Sequence, residues 1–373
     1  MGMKARYSIR ETIAVITLKE SPNPSFRAEQ RAMFNVPLFV GLDYHRDSIQ
    51  VCVLNTAGQM LMNRPCPNDA QAVNQLVASL GGQIRGAIEA CCGAADLADE
   101  LVGRYGWDLD LAHPGYVNRM KQSPDKSDYS DAKMLADLVR VGYLPKVWLA
   151  PEDTRQLRVL IRYRQQLVNR RRAVKLRVTA ILREARVQAV DLKRWTRRWL
   201  DWLVTVGDLG SEARWVIAAH LAELRSLDER ILQAERRLNQ VTANDAVVAQ
   251  LVGLRGVGLI TAWALRAEVG RFDRFRTGKQ LARYCGLSPR NASSGQRQAD
   301  AGLIKAGNEL LRTVIIETAH RLIRYDERWG ALAATLRKAG KPACVAAAAV
   351  ANRWVRWLYH QVEGGAITLS VAG

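Results

Sequence analysis

From residue 38 the chain sets short apolar runs between turn residues. Leu38-Phe39-Val40-Gly41-Leu42-Asp43 is followed by a turn over 44–47, a second run over 49–54, the turn Asn55-Thr56-Ala57-Gly58 and a third run from Gln59. Runs of this length bounded by Gly, Asn and Asp predict three short strands joined by tight turns. The first run is apolar at consecutive positions, as in a central strand covered on both faces. The pattern then predicts a helix over 69–80, a strand over 84–90, a helix over 94–104, a strand over 108–112 and a helix over 128–141. The order βββαβαβα is that of an α/β layer with mixed strand directions.

Beyond residue 150 the pattern is helical. Leu160, Leu167, Val174 and Ile181 recur every seven residues within 151–200, which predicts a long helix with one apolar seam. Arg164 and Arg171 stand where a second seam residue belongs, which argues against a strict coiled coil. A second helix over 221–241 is expected to fold back on it, Thr242-Ala243-Asn244-Asp245 marks a boundary, and the remainder reads as helices with short loops. Upstream of the first strand, Ser21-Pro22-Asn23-Pro24-Ser25 has linker composition. The expected organisation is an extension (1–37), an α/β domain (38–150), a basic helical region (151–245) and a mostly α-helical C-terminal domain (246–373).

Charge changes the picture. Among 373 residues, 55 Lys and Arg against 36 Asp and Glu leave +19, too basic for an ordinary metabolic enzyme and suited to a polyanion. The 48% hydrophobic content is enough to build cores, which excludes wholesale disorder. Residues 151–200 hold 15 basic and 4 acidic residues, and 274–312 hold eight and two. The helical region therefore reads either as a solvated face or as a helix that tracks a phosphate backbone. The apolar runs are too short to span a bilayer, and no signal peptide is evident. Six cysteines without a CxxC pair and five scattered histidines argue against structural zinc and disulfides, so a cytoplasmic location is expected.

Candidate chemistry lies at element ends. Asp43 closes the first strand, Glu89 closes the strand over 84–90, and Asp128 and Asp131 open the helix that continues through Ala132, Leu135, Leu138 and Val139. Three residues apart, the two aspartates share a helix face with that apolar stripe. Acids on a packed stripe are costly unless a cation offsets them, and oxygen ligands without Cys or His point to Mg²⁺ or Mn²⁺. Taken singly, each acid reads as a turn or cap residue; the joint pattern carries the reading. In the C-terminal region, Gly253-Leu254-Arg255-Gly256-Val257-Gly258 followed by Leu259-Ile260-Thr261-Ala262 reads as a helix-hairpin-helix-like turn or as a plain helical hairpin. Gly286-Leu287-Ser288-Pro289-Arg290-Asn291-Ala292-Ser293-Ser294-Gly295 precedes Lys305-Ala306-Gly307-Asn308 and Leu311-Arg312. By residue chemistry alone Ser294 is a turn serine.

The element order resembles the ribonuclease H-like fold, and the motifs together resemble the DEDD transposases of the insertion-sequence one-hundred-ten/Piv family, the bridge-RNA-guided recombinases. That family's K-[ST]-D-x-x-D-A string matches Lys126-Ser127-Asp128-Tyr129-Ser130-Asp131-Ala132, and its G-L-x-P loop, serine-glycine pair and K-x-G-N segment match 286–289, Ser294-Gly295 and 305–308. The resemblance spans about residues 38–362. The family often has a Gly-Thr pair shortly after its glutamate, where this chain reads Cys91-Cys92-Gly93.

The resemblance implies a RuvC-like domain whose quartet Asp43, Glu89, Asp128 and Asp131 holds Mg²⁺ or Mn²⁺, with Ser294 as the nucleophile. It implies DNA as donor and target, a structured noncoding guide RNA, and a homodimer or homotetramer in a bacterial or archaeal cytoplasm at the nucleoid. Arg164, Arg170, Arg171, Arg172, Gly256, Gly258, Arg290, Lys305 and Arg312 are the candidate nucleic-acid contacts. Two other readings stay open: a metal-dependent RuvC-like junction nuclease without a covalent intermediate, and a non-enzymatic nucleic-acid-binding protein.

Overall fold

The computed structural model describes residues 36–121, 127–188, 190–207, 209–291, 300–304, 306–365 and 367. The chain forms two compact units, Met1–Leu149 and Ala150–Gly373.

The first unit is a mixed sheet with helices on both faces. Strands β1 (Pro37–Tyr44), β2 (Ser48–Leu54) and β3 (Met60–Pro67) form the expected antiparallel meander. Helix α1 (Ala70–Ala78) leads to β4 (Gln83–Glu89), and α2 (Ala94–Tyr105) to β5 (Asp108–Ala112); β4 runs parallel to both β1 and β5. Helices α3 (Pro114–Met120) and α4 (Asp128–Arg140) follow, and β6 (Lys146–Val147) closes the order β3-β2-β1-β4-β5-β6. Pattern reading missed α3 and β6: α3 buries only Val117, and β6 is two residues long, so neither leaves a period to read.

Strand β1 is covered on both sides, as its uniform apolarity predicts. Leu38, Val40 and Leu42 share a core with Val73 and Val77 of α1 and Leu97 and Leu101 of α2. Phe39 faces the other way, onto Ala132 and Ala136 of α4. Between them Gly41 lets α4 lie directly on the strand: a Cβ there would overlap the Ala132 carbonyl and the Ala136 amide. The small residues at 41, 132 and 136 thus set how near the start of α4 comes to the end of β1.

The second unit begins with α5 (Glu152–Glu184), α6 (Arg197–Thr205) and α7 (Ser211–Val241). The expected long helix runs from Glu152 to Glu184, and the returning helix, expected from about residue 221, starts earlier, at Ser211. Helices α5 and α7 pack antiparallel: Arg164 pairs with Glu235, whereas Arg170 and Arg171, further along α5, pair with Glu223 and Asp228, which come earlier on α7. Leu167 and Val174 occupy the predicted seam beside Leu224, Leu227 and Ile231, whereas Leu160 and Ile181 are only partly buried. A strict seven-residue repeat drifts around a 3.6-residue helix, so the buried stripe passes instead through Leu157, Ile161 and Val178. Arg164, whose side chain is only 11% exposed, stands in this seam and is balanced by Glu235 at 2.9 Å.

After α8 (Ala246–Val252) and a turn, α9 (Leu259–Ala264) runs into a π-helical stretch, Leu265–Val269, and then come α10 (Gly278–Tyr284), α11 (Glu309–Tyr325), α12 (Glu327–Lys338) and α13 (Ala343–Glu363). Trp263, Leu281, Leu311, Ile315, Val350 and Trp354 centre the core, which also takes in Leu157 and Ile161 of α5. The widened helix buries two charges. Arg266 bonds Asp245, Asp153 and Thr154, and Glu268 accepts both Arg162 nitrogens, at 2.7 and 2.8 Å, and the Asn308 amide at 2.9 Å. The expectation of helices and short loops alone needs one correction: β7 (Pro289–Asn291) and β8 (Asp300–Leu303) form an antiparallel pair between α10 and α11. Three or four residues are too few for an alternation to show.

Candidate metal centre and nucleic-acid surfaces

The acidic cluster is built where three elements end. Strand β1 carries Asp43 at its C-terminal end, and β4 beside it pairs Leu42 with Ile88, so Glu89 follows at the same level of the sheet. Ser127 caps α4 in extended conformation, and the first turn of that helix supplies Asp128 and Asp131. Asn63 of β3 donates to the Tyr129 carbonyl at 2.9 Å, tying the same turn to the sheet edge.

His45 joins the group. Two residues past Asp43, it is directed to the same side as a strand alternation requires. Its Nε2 lies 3.2 Å from Asp43 Oδ2 and 3.2 Å from Asp128 Oδ2. One ligand atom from each of Asp43, His45 and Asp128 falls within 4.8 Å of the others. Asp131 is the buried acid, and Lys121 meets it at 2.6 Å. Burial pushes the Asp43 carboxyl above its ordinary range; His45 opposes the shift, and Asp128 and Asp131 add to it. Among the described residues, the three aspartates Asp43, Asp128 and Asp131 meet one histidine and one lysine, an acidic balance that suits a divalent cation. Carboxylate oxygens with one imidazole form a donor set for Mg²⁺ or, better, Mn²⁺.

Of the four acids expected from sequence, the structure brings Asp43 and Asp128 together through His45, sets Asp131 near enough to perturb Asp43, and puts Glu89 on the adjacent strand end. His45 and Lys121 escaped the sequence reading. Scattered histidines argue against zinc but say nothing of an acidic partner; the signal for His45 is its i, i+2 spacing from Asp43 at a strand end. In the sequence, Gly41 is simply part of an apolar run.

The basic candidates separate by direction. Arg164 and Arg171 are held in the α5–α7 seam by Glu235 and Asp228, while Arg170 is more exposed, 3.8 Å from Glu223, and Arg172 faces solvent. The glycine-rich turn joins α8 to α9, with Gly256 in left-handed conformation (φ 80°) and Gly258 capping α9. Arg321 donates to the Gly256 carbonyl at 2.8 Å, fixing the turn to α11. Arg290 is exposed on β7, and Arg312 reaches the Ile304 carbonyl beside Gly286. Gly286 and Gly307 meet backbone to backbone with no room for a side chain, and Asn308 caps α11, so the segments before β7 and after β8 are clamped together. Ser294, Lys305 and Lys126 lie outside the described residues.

A mixed sheet of this order, with an acidic helix start laid on its first strand and a mostly helical region after it, agrees with a DEDD, ribonuclease H-like class of protein. Comparison with known proteins gives the same class. A family model described as transposase, of the DEDD IS110 type, matches residues 40–187, and one described as "Transposase IS116/IS110/IS902 family" matches residues 248–334. The transposase for insertion sequence element IS1111A of Coxiella burnetii is 28% identical over 87% of this chain and 89% of its own length. A probable family 20 transposase of Pseudomonas aeruginosa is 30% identical over 73% of this chain and 82% of its own. The putative transposase y4qE of Sinorhizobium fredii is 34% identical over 62% of this chain and 56% of its own. The chain belongs to the IS110 family of DEDD transposases. Among the described residues no helix is long and apolar enough to cross a membrane.

Proposed function

We propose that this chain is a recombinase that cuts and rejoins DNA for an insertion sequence through a covalent serine–phosphate intermediate, with a structured noncoding RNA choosing the sites. The observation that supports the reading is the convergence of Asp43, Asp128 and Asp131, with Glu89 on the neighbouring strand end, on the mixed sheet of the first unit. Asp43, Glu89, Asp128 and Asp131 would hold Mg²⁺ or Mn²⁺, and His45 stands close enough to join them. The ion supplies charge stabilisation at the phosphodiester and lowers the pKa of the attacking hydroxyl.

The protein's own part begins with Ser294, whose hydroxyl attacks phosphorus while the leaving strand oxygen departs and takes a proton. The phosphodiester bond is exchanged rather than hydrolysed, so rejoining needs no new energy source. The Gly286–Gly307 contact and the Asn308 cap hold the bases of the segment that carries Ser294. In this reading the turn at Gly256 and Gly258 acts as a helix-hairpin-helix contact to phosphates, joined by Arg290, Lys305 and Arg312. The basic helical region 151–245, through Arg170 and Arg172 and with Arg164 and Arg171 shaping it, meets RNA and a second copy of the chain. Function is as a homodimer or homotetramer at the nucleoid.

The test is a labelled junction substrate with guide RNA and Mg²⁺, run on a denaturing protein gel. Wild type gives a protein–DNA adduct, and Ser294→Ala gives none while retaining DNA binding. Cleavage by Ser294→Ala at the wild-type rate would replace this reading with that of a metal-only nuclease. Wild-type recombination by Asp43→Ala and Asp128→Ala would leave a binding protein with structural acids.

A further inference from the structure

Helices α5 and α7 are joined at their far end by a small subdomain with its own core, formed by Val178, Trp199, Leu203, Val206, Leu209 and Ile217. Its side holds a cavity of about 180 Å³ lined by Trp199, Trp202, Arg183, Arg194, Gln188 and Thr179, among others. Three observations on this tip are independent of one another. Trp195, Trp199 and Trp202 form a ladder with ring centroids 4.8 and 5.9 Å apart, and Trp202 leaves part of its ring uncovered. The guanidinium groups of Arg183 and Arg194 are exposed and make no ion pair or side-chain hydrogen bond with any described residue. Arg186 and Trp195, with φ of 52° and 66°, are the non-glycine residues of left-handed backbone among the described residues, and both lie in the loop that walls the cavity. For a bulky residue that conformation is strained and persists only where its surroundings impose it, as ligand clamps do. Here Lys175, 5.1 Å over the Trp195 ring, and Trp199 hold it.

We propose that this cavity binds one unstacked nucleotide of a single-stranded or looped nucleic acid, with the base against Trp202 and its phosphate between Arg183 and Arg194. Tryptophan faces accept any base, and free guanidinium groups take phosphate bidentately. Within 183–198, six basic residues outnumber two acidic ones, so the surrounding field draws the same ligand. A duplex does not satisfy this chemistry, because its bases stay stacked and only its phosphates reach the arginines. The inference rests on the reading that the chain binds nucleic acid; it is separate from the serine chemistry and from the phosphate contacts of the C-terminal domain.

The experiment measures fluorescence anisotropy of the full chain with an RNA stem-loop, a DNA single strand and a blunt DNA duplex, at a salt concentration high enough to weaken backbone attraction. One or both unpaired probes bind more tightly than the duplex, and which of them does so identifies the source of the nucleotide. Trp202→Ala weakens that probe about ten-fold, the scale of one lost base stack, and leaves the duplex unchanged. Trp202→Phe restores binding because it keeps a stacking face, and Arg183→Ala with Arg194→Ala reproduces the loss. A 5-iodouracil probe crosslinks to the peptide that contains Trp202. Equal weakening of all three probes, no weakening by Trp202→Ala, or the same loss from Trp215→Ala, an exposed tryptophan on α7 outside the cavity, overturns the proposal. Ser294→Ala protein binds as wild type here, so failure of the serine reading and failure of this one are read in different assays.

Discussion

Gly41→Ala adds one methyl group at the point where α4 rests on β1. The new carbon would collide with the Ala132 carbonyl and the Ala136 amide, both backbone groups that no rotamer change can move. Overpacking a core costs about 1–3 kcal/mol, and an obstruction by backbone belongs at the upper end, about 3 kcal/mol. The lower chain entropy of unfolded Ala returns roughly 0.5 kcal/mol. For a unit of this size the remainder lowers Tm by about 10 °C. To relieve the overlap α4 must lift, and Asp128 and Asp131 leave Asp43 with it. Mn²⁺ affinity, followed by electron paramagnetic resonance titration, should therefore fall by about ten-fold or more, the scale seen when groups that orient ligands are lost. Gly103→Ala is the matched control: nothing lies within 4 Å of its added carbon, and inside α2 it should stabilise by about 1 kcal/mol. A Gly41→Ala protein that melts within about 2 °C of wild type and binds Mn²⁺ equally would refute the claim that this contact sets the acidic cluster.

Arg164→Ala leaves Glu235 without its partner in a packed seam; because Glu235 is itself 27% exposed, the expected loss in urea unfolding is about 1–2 kcal/mol, below that of a fully buried pair. Arg164→Leu combined with Glu235→Leu should recover most of it, and a double variant no better than the single would show that the seam needs the ion pair itself. The folded pKa of Asp43 lies above its unfolded value, so its contribution is present below about pH 4 and is lost as pH rises through the folded pKa. In EDTA, Asp43→Asn should therefore gain stability relative to wild type as pH increases toward neutrality, with the two converging in acid. A constant difference across that range would mean that the carboxyl is not strained by burial and its acidic neighbours.

The order of the longer strands and helices in the first unit is legible because these elements carry enough residues to show a period, and because Gly, Asn and Asp mark their ends; α3 and β6 are too short to do so. The same record located Asp43, Glu89, Asp128 and Asp131, since acids at strand ends and helix starts stand out against apolar runs. It also carried the net charge and the motif strings that signal the family. Where a side chain points across to another element was not legible. Arg164 and Arg171 look like surface cations in a basic helix until α7, some sixty residues later, brings Glu235 and Asp228 against them. Gly41 looks like any small residue in a strand until α4 presses on it, and His45 looks isolated until Asp128 arrives from the far side of four further strands. Local periodicity records how much of an element is buried. What buries it, and which charges then meet, depends on contacts between distant parts of the chain that only the folded structure decides.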